Sequence, residues 1–258
     1  MHPIDPVRLG IAFLAAFVAG AINSVAGGGS FLTFPALIFT GVPSIPANAT
    51  STMAVWPGSL ASVGAYRQDI LRDRRQLPGL LAVSLLGGLL GAFVLLRTPQ
   101  HTFDRLLPWL LLAATLIFSF GGSASKWLRE HAVRSGGATP VAILTWLIQF
   151  VIAIYGGYFG AGIGILMLAL LSFAGMTDIH AMNGFKTVLG SALNGMALIA
   201  FILARLILWP QALLMMGGAI VGGYGGARLA RRTSPRIIRS LVICIGGAMT
   251  AYFFLRAR

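Results

Sequence analysis

Long apolar segments separated by short polar connections make up most of the chain. A helix that crosses a bilayer needs about 20 mostly apolar residues. Two shorter apolar pieces, 30–41 and 164–175, follow glycine clusters, and as helices they would cover only about half of a bilayer core. The long segments are 9–26, 48–66, 77–96, 106–121, 140–159, 181–204, 210–227 and 240–255. This pattern predicts an all-α polytopic membrane protein with about eight long helices and two short re-entrant or hairpin helices after Gly-rich breaks.

The same order of elements occurs twice along the chain. Residues 26–41 align with residues 160–175 at a spacing of 134 positions, and GGLLGA at 87–92 aligns with GGYGGA at 222–227 at a spacing of 135. Repeats of this size inside a membrane chain are typical of transporters built from two halves. The predicted organisation is a first repeat at 1–121, a cytoplasmic linker at 122–139 and a second repeat at 140–258.

The basic residues add an orientation to this picture. The chain carries 19 Lys and Arg against 6 Asp and Glu, a net charge of +13. On a soluble chain this excess would favour a nucleic-acid-binding protein, but 57% hydrophobic residues exclude a soluble or disordered chain, and no nucleic-acid partner is expected. Loops 67–75, 122–139 and 228–239 hold 12 of the 19 basic residues, so the positive-inside rule predicts that they are cytoplasmic. Counting crossings from these loops then makes the two repeats inverted and places both termini outside the cytoplasm.

Polar residues inside the apolar segments mark where a ligand could bind. Two polar stripes at helical spacing occupy corresponding segments of the two repeats. Their members are Asn48, Ser51, Thr52, Ser59 and Ser62 in the first, and Asn183, Thr187, Ser191 and Asn194 in the second. Polar groups in hydrocarbon need partners, so each stripe faces either neighbouring helices or a wet cavity. Because both repeats carry a stripe, a central cavity is the favoured interpretation.

The glycine clusters around Gly28 and Gly162 are interpreted as breaks between two half-helices. Neither has the Gly-Lys-Ser/Thr ending or the soluble strand–helix context of a nucleotide-binding loop. Glycine permits a tight reversal, which leaves backbone N–H groups exposed at the next helix start, and such a start attracts anions. The alternative is that the glycines only allow close packing within a hairpin.

Lys186 is the only charged residue placed inside a predicted segment. A lysine at a helix centre costs about 2.5–3.5 kcal/mol on insertion scales, so it either snorkels to the interface or serves as the partner of an anionic ligand. All six acidic residues are predicted to lie between segments, which disfavours a carboxylate relay for protons or sodium. The segments also lack the His/Asp/Glu constellation of an enzyme and the Cys/His cluster of a metal site, so no catalytic residue, metal or cofactor is predicted.

Two stretches resemble a known family. AGAINSVAGGGSFLTFPAL at 19–37 resembles the first signature of the TauE/SafE sulfite exporter family (the TSUP transporters), and YGGYFGAGIGILMLALL at 155–171 resembles the second. The second departs from the first at Ile163, which interrupts the glycine run, and at Leu170, near the place of Pro35. The resemblance implies a multi-pass transporter of the bacterial plasma (inner) membrane that carries small sulfur-containing anions, such as sulfite or sulfonates like sulfoacetate.

The same resemblance indicates which residues bind the substrate. The candidates are Asn23, Ser24, Gly27, Gly28, Gly29, Ser30, Asn48, Thr50, Ser51, Thr52, Gly162, Gly164, Asn183, Lys186 and Thr187. We expect export by alternating access. The alternatives are proton- or sodium-coupled anion uptake and a non-transporting membrane assembly protein. The expected partners are the small anionic substrate, the lipid bilayer and a second copy of the chain in a homodimer.

Overall fold

The computed structural model describes residues 6–23, 28–72, 77–132, 139–230 and 235–256, and the regular secondary structure in these ranges is helical. The helices in chain order are α1 (Pro6–Asn23), α2 (Ser30–Phe39), α3 (Ser44–Ala65), α4 (Arg67–Arg72), α5 (Leu77–Arg97), α6 (Gln100–Ala132), α7 (Thr139–Tyr158), α8 (Ile163–Phe173), α9 (Ile179–Leu203), α10 (Trp209–Ala230) and α11 (Pro235–Arg256).

Three of these helices, α1, α5 and α9, are long and apolar enough by length and composition to cross a membrane. Shorter apolar stretches of helix occur at Ser30–Phe39, Ile143–Tyr158, Ile163–Phe173 and Val242–Leu255. The described part of the chain is therefore consistent with an all-helical membrane protein. How the remaining helices divide into full and partial spans stays a prediction.

Two helical features were not expected from the apolar pattern. The loop predicted at 67–75 contains the short helix α4, whose Ile70 is 8% exposed and packs against α9 at Gly184. Helix α6 runs beyond the predicted segment 106–121 at both ends. Asp104 consequently lies inside α6 and not between segments, because Ser44 and Gln100 hydrogen-bond to its carboxylate and stabilise the first turns of that helix.

The chain forms two compact units. Unit 1 comprises Met1–Gly58, Leu96–Thr115 and Phe201–Arg258, and unit 2 comprises Ser59–Leu95 and Leu116–Ala200. Each unit therefore combines segments from both predicted repeats. The predicted repeats at 1–121 and 140–258 were defined by sequence similarity, whereas the two units are defined by contacts in space. The repeat boundaries therefore stay a prediction.

In unit 1, α1 packs closely along α10 through glycine. A Cβ added at Gly218 would lie 2.7 Å from the carbonyl oxygen of Phe13, and a Cβ at Gly222 would overlap the carbonyl of Phe17. Helix α11 also has a glycine where it contacts α2, but there a Cβ at Gly246 would meet a side chain, the ring of Phe31, at 3.2 Å. Small residues that let backbones meet are the usual means of packing helices in a membrane.

In unit 2, α5 has the corresponding packing role. A Cβ at Gly87 would lie 2.8 Å from the carbonyl oxygen of Phe150 in α7, and one at Gly91 would overlap the carbonyl of Ile154. On another face, a Cβ at Gly88 would lie 2.6 Å from the carbonyl oxygen of Leu193 in α9. Unit 2 also contains a buried apolar core, whose members include Met167, Leu171, Met182, Phe185 and Leu189. These contacts hold α7, α8 and α9 in one compact body.

Candidate functional site at the glycine breaks

The two short helices, α2 and α8, are bounded by glycines in the same conformation. Gly28 and Gly162 precede them with φ of 94° and 79°, and Gly41 and Gly175 follow them with φ of 90° and 88°. Residues with a Cβ rarely adopt positive φ, so these positions favour glycine. Both pairs are separated by 134 positions, which means that the local backbone corresponds at the spacing found in the sequence.

Each short helix begins with open backbone donors. The first hydrogen bond of α2 runs from Phe31 N–H to the Gly28 carbonyl at 3.0 Å, and the first of α8 runs from Ile165 N–H to the Gly162 carbonyl at 3.1 Å. The helix N–H groups that precede these two bonds are the open donors. Neither helix has a side-chain N-cap. Within the described ranges, the N–H groups of Ile163 and Gly164 have no hydrogen-bond partner. Such donors at a helix start are suited to an anion.

The first break already uses one of its donors. The side-chain oxygen of Asn23 accepts a hydrogen bond from Gly29 N–H at 3.2 Å. Gly29 also lies close to α1, since a Cβ there would be 3.0 Å from the carbonyl oxygen of Ala19. The candidates Ser24 and Gly27 lie outside the described residues.

The second break is held by a tyrosine. The hydroxyl of Tyr155, in the last turn of α7, donates to the Ala161 carbonyl at 2.8 Å. Sequence reasoning missed Tyr155, because a phenol near the end of an apolar helix follows no pattern. Its one signal is its place within the last turn before a glycine cluster.

Two candidates of α3 take part in helix–helix hydrogen bonds. The hydroxyl of Ser51 lies 2.6 Å from that of Thr33 in α2, and both are buried. The hydroxyl of Thr50 accepts a hydrogen bond from Leu208 N–H at 3.1 Å, which joins α3 to the start of α10. The Ser51 contact matches the helix-packing interpretation of the first polar stripe, to which Thr50 does not belong. Thr52 instead donates to the carbonyl of Asn48, which is itself 4% exposed.

The candidates of the second repeat lie together in unit 2. Lys186 Nζ donates to the side-chain oxygen of Asn183 at 2.8 Å, and the Thr187 hydroxyl donates to the Asn183 carbonyl at 2.7 Å. A Cβ at Gly164 would lie 3.3 Å from Lys186 Cδ. The lysine stem therefore lies across the first turn of α8, next to its open N–H groups.

The described side chains supply no counter-charge for Lys186. Its hydrogen-bond partner is a neutral amide, and neither Asp104 nor Asp178, the acidic side chains that the structure describes, forms an ion pair with it. A half-buried cation without a counter-charge is costly in an apolar setting. Bound to an anion, the same amine would gain a charge-assisted hydrogen bond.

The chemistry of this site follows from its donors. It offers the Lys186 amine, the remaining amide hydrogen of Asn183 and the backbone N–H groups of α8, all of which can donate to oxygen atoms of an oxyanion, whereas the Thr187 hydroxyl already donates to the Asn183 carbonyl. Among the described residues, no three His, Cys, Asp or Glu side chains lie together in a way that could hold a metal ion.

Apolar helices, two short helices bounded by glycines and a lysine inside a further helix are features expected of a membrane transporter. The family model "Sulfite exporter TauE/SafE" matches residues 12–253. The chain therefore belongs to the TauE/SafE family of membrane transporters.

Curated relatives agree with this assignment. The chain is 29% identical over 244 residues to a probable membrane transporter protein of Haemophilus influenzae, covering 94% of this chain and 93% of the relative. It is 31% identical over 243 residues to the probable membrane transporter protein ORF9 of Sinorhizobium, covering 93% and 90% of the two chains. It is 27% identical over 250 residues to the probable membrane transporter protein YfcA of Escherichia coli, covering 96% and 90%. No solved structure matches the chain.

Proposed function

We propose that the protein is a secondary transporter that exports small sulfur-containing anions, sulfite or sulfonates such as sulfoacetate, across the bacterial plasma membrane. The observation that carries this proposal is Lys186, whose stem lies across the first turn of α8 and whose amine pairs with neither Asp104 nor Asp178, the acidic side chains that the structure describes. The family description, a sulfite exporter, supports the substrate class. The printed names of the relatives extend only to membrane transport.

In this proposal the bound anion supplies the negative charge that balances the Lys186 amine. Its oxygens accept hydrogen bonds from the Lys186 amine and from the N–H groups at the start of α8, while Asn183 and Thr187 lie within the same turns of α9. Export would run down the membrane potential, inside negative, which supplies about 2.3 kcal/mol per charge per 100 mV. A coupled ion is then unnecessary.

The proposed topology has two inverted repeats with both termini outside the cytoplasm. Its support is the concentration of basic residues in loops 67–75, 122–139 and 228–239 and the paired glycine conformations 134 positions apart. An impermeant thiol reagent that labelled a cysteine placed in 67–75 from outside the cell would reverse this orientation.

Sulfite efflux from proteoliposomes tests the site directly. We expect wild-type protein to transport sulfite, Lys186→Ala to lose most of the activity because the counter-charge is gone, and Lys186→Arg to retain part of it. Arg105→Ala is the matched control, because it also removes one positive charge but from an exposed position in α6.

Two outcomes would contradict the proposal in different ways. If folded Lys186→Ala transports sulfite as fast as wild type, the amine does not bind the substrate. If wild-type protein moves neither sulfite nor sulfoacetate, the substrate class is wrong and the family membership alone remains.

A further inference from the structure

Tyr155 holds the second glycine break from both sides. Its backbone carbonyl accepts hydrogen bonds from Phe159 N–H at 2.9 Å and from Gly160 N–H at 3.2 Å. Its hydroxyl donates to the Ala161 carbonyl at 2.8 Å. One residue therefore makes three of the hydrogen bonds that shape the turn between α7 and α8.

The surroundings of Tyr155 restrict its ring. The ring packs against the buried core of unit 2 and lies 6.4 Å from the ring of Phe159 in an edge-to-face arrangement. The Ala161 residue that it contacts is 4% exposed. Leaving the buried Ala161 carbonyl without a donor would cost free energy, so this hydrogen bond stabilises the observed position of the phenol.

The side chains at the two breaks have opposite hydrogen-bonding roles, one as an acceptor and the other as a donor. At the first break, Asn23 uses an acceptor oxygen and occupies Gly29 N–H at the start of α2. At the second break, Tyr155 uses a donor and occupies a carbonyl. The tyrosine thus stabilises the turn without using any N–H group of α8.

We propose that Tyr155 is a positioning residue for the anion site of unit 2. Its hydroxyl fixes the turn at 159–162, and the turn fixes where the free N–H groups of Ile163 and Gly164 lie beside the Lys186 stem. Tyr155 acts through the Ala161 carbonyl and does not touch the anion. This inference rests on the proposed function, since it concerns the site that binds the transported anion.

The removal of the hydroxyl alone tests this role. Tyr155→Phe keeps the ring packing and deletes one hydrogen bond, whose net value of about 0.5–1.5 kcal/mol corresponds to a change of about two- to tenfold in apparent affinity. In proteoliposomes containing the full chain, we expect the half-saturating sulfite concentration to rise by about two- to tenfold. The maximal rate should change by less than about twofold, because Lys186 and the helices remain.

The matched control is Tyr252→Phe. Tyr252 lies in α11 of unit 1 and makes an aromatic contact with Phe39 at 5.4 Å between ring centroids. It loses the same hydroxyl away from the second break, so its half-saturating concentration should equal that of wild type. Hydrogen–deuterium exchange supplies a readout independent of transport, and in Tyr155→Phe we expect faster exchange confined to 159–164.

The outcomes separate this inference from the proposed function. If wild type shows no saturable transport of sulfite or sulfoacetate, both are overturned. If wild type transports sulfite and folded Tyr155→Phe has the same half-saturating concentration, only the positioning role is overturned. Unchanged exchange at 159–164 would also overturn it, since the hydroxyl would then not hold the turn.

Discussion

The two short helices are bounded by glycines of the same conformation and differ in the chemistry of their neighbours. Both α2 and α8 start after a glycine with positive φ and end at another. At the positions that correspond in the sequence alignment, unit 1 has Thr33 and Ser51, whereas unit 2 has Met167 and Lys186. Thr33 and Ser51 pair through their hydroxyls, but a thioether and an amine offer no such pair. Lys186 instead lies across Gly164 and binds Asn183.

This difference shows that the same backbone motif can support a neutral helix-packing contact in one unit and a positively charged site in the other. The hydroxyl pair of unit 1 is buried and satisfied, so it joins α2 to α3 as a neutral contact. The lysine of unit 2 leaves a positive charge beside open N–H groups. In our proposal, the charged part of anion recognition therefore belongs to unit 2.

The largest expected effect tests what the two units have in common, their close glycine contacts. In Gly222→Ala and Gly91→Ala the new Cβ would overlap backbone carbonyls of α1 and α7, which cannot rotate away as a side chain would. We expect each substitution to lower the free energy of unfolding by about 3 kcal/mol, the upper end of the range typical of overpacking. Thermal unfolding of the purified protein in detergent measures this.

Gly217→Ala is the control for both, because nothing lies within 4 Å of its added Cβ. It should raise stability by about 0.5–1 kcal/mol through the greater helix propensity of alanine. Equal behaviour of all three variants would mean that the close approach of the helices does not contribute to stability.

A smaller effect is expected at the hydroxyl pair of unit 1. Thr33→Val or Ser51→Ala leaves the other hydroxyl buried without this partner, which should cost about 1–3 kcal/mol. The double variant removes both groups, so its cost should be less than the sum of the single costs. Thermal unfolding of the four proteins gives this cycle, with no change expected in the half-saturating sulfite concentration. Additive costs would mean that the two hydroxyls do not stabilise each other, and a weakened apparent affinity would place the pair in the substrate site.

The sequence was most informative where glycine governs the backbone. The short helices predicted at 30–41 and 164–175 appear as α2 and α8, because each is preceded and followed by a glycine that the conformation requires. Helix α4 was missed, since among its described side chains, those of Arg67, Gln68 and Ile70, tertiary packing buries only Ile70. The start of α6 was placed too late, because polar residues form much of its first turn, where Ser44 and Gln100 hydrogen-bond to the Asp104 carboxylate.

Side-chain partners were much less predictable than helices. The spacing of Asn48, Ser51 and Thr52 defines a face but does not say what that face meets, and the hydroxyl of Thr33 was not part of the pattern. Lys186 was recognisable as the one charge inside a segment. Its contact with Gly164 depends on how α8 and α9 pack, which periodicity does not give.

The smallest expected effect concerns a helix end at which glycine is replaced. Arg205 follows α9 with φ of 56°, and the N–H groups of Arg205 and Leu206 close the helix on Ile202 and Phe201, as those of Gly175 and Met176 close α8 on Ser172 and Leu171. A left-handed conformation costs a residue with a Cβ roughly 1–2 kcal/mol, so Arg205→Gly should raise the free energy of unfolding by about 1 kcal/mol. Gly175→Arg is the converse variant and should lower it by a similar amount. Thermal midpoints that moved in the same direction in both variants would show that the left-handed cap does not limit stability at either end.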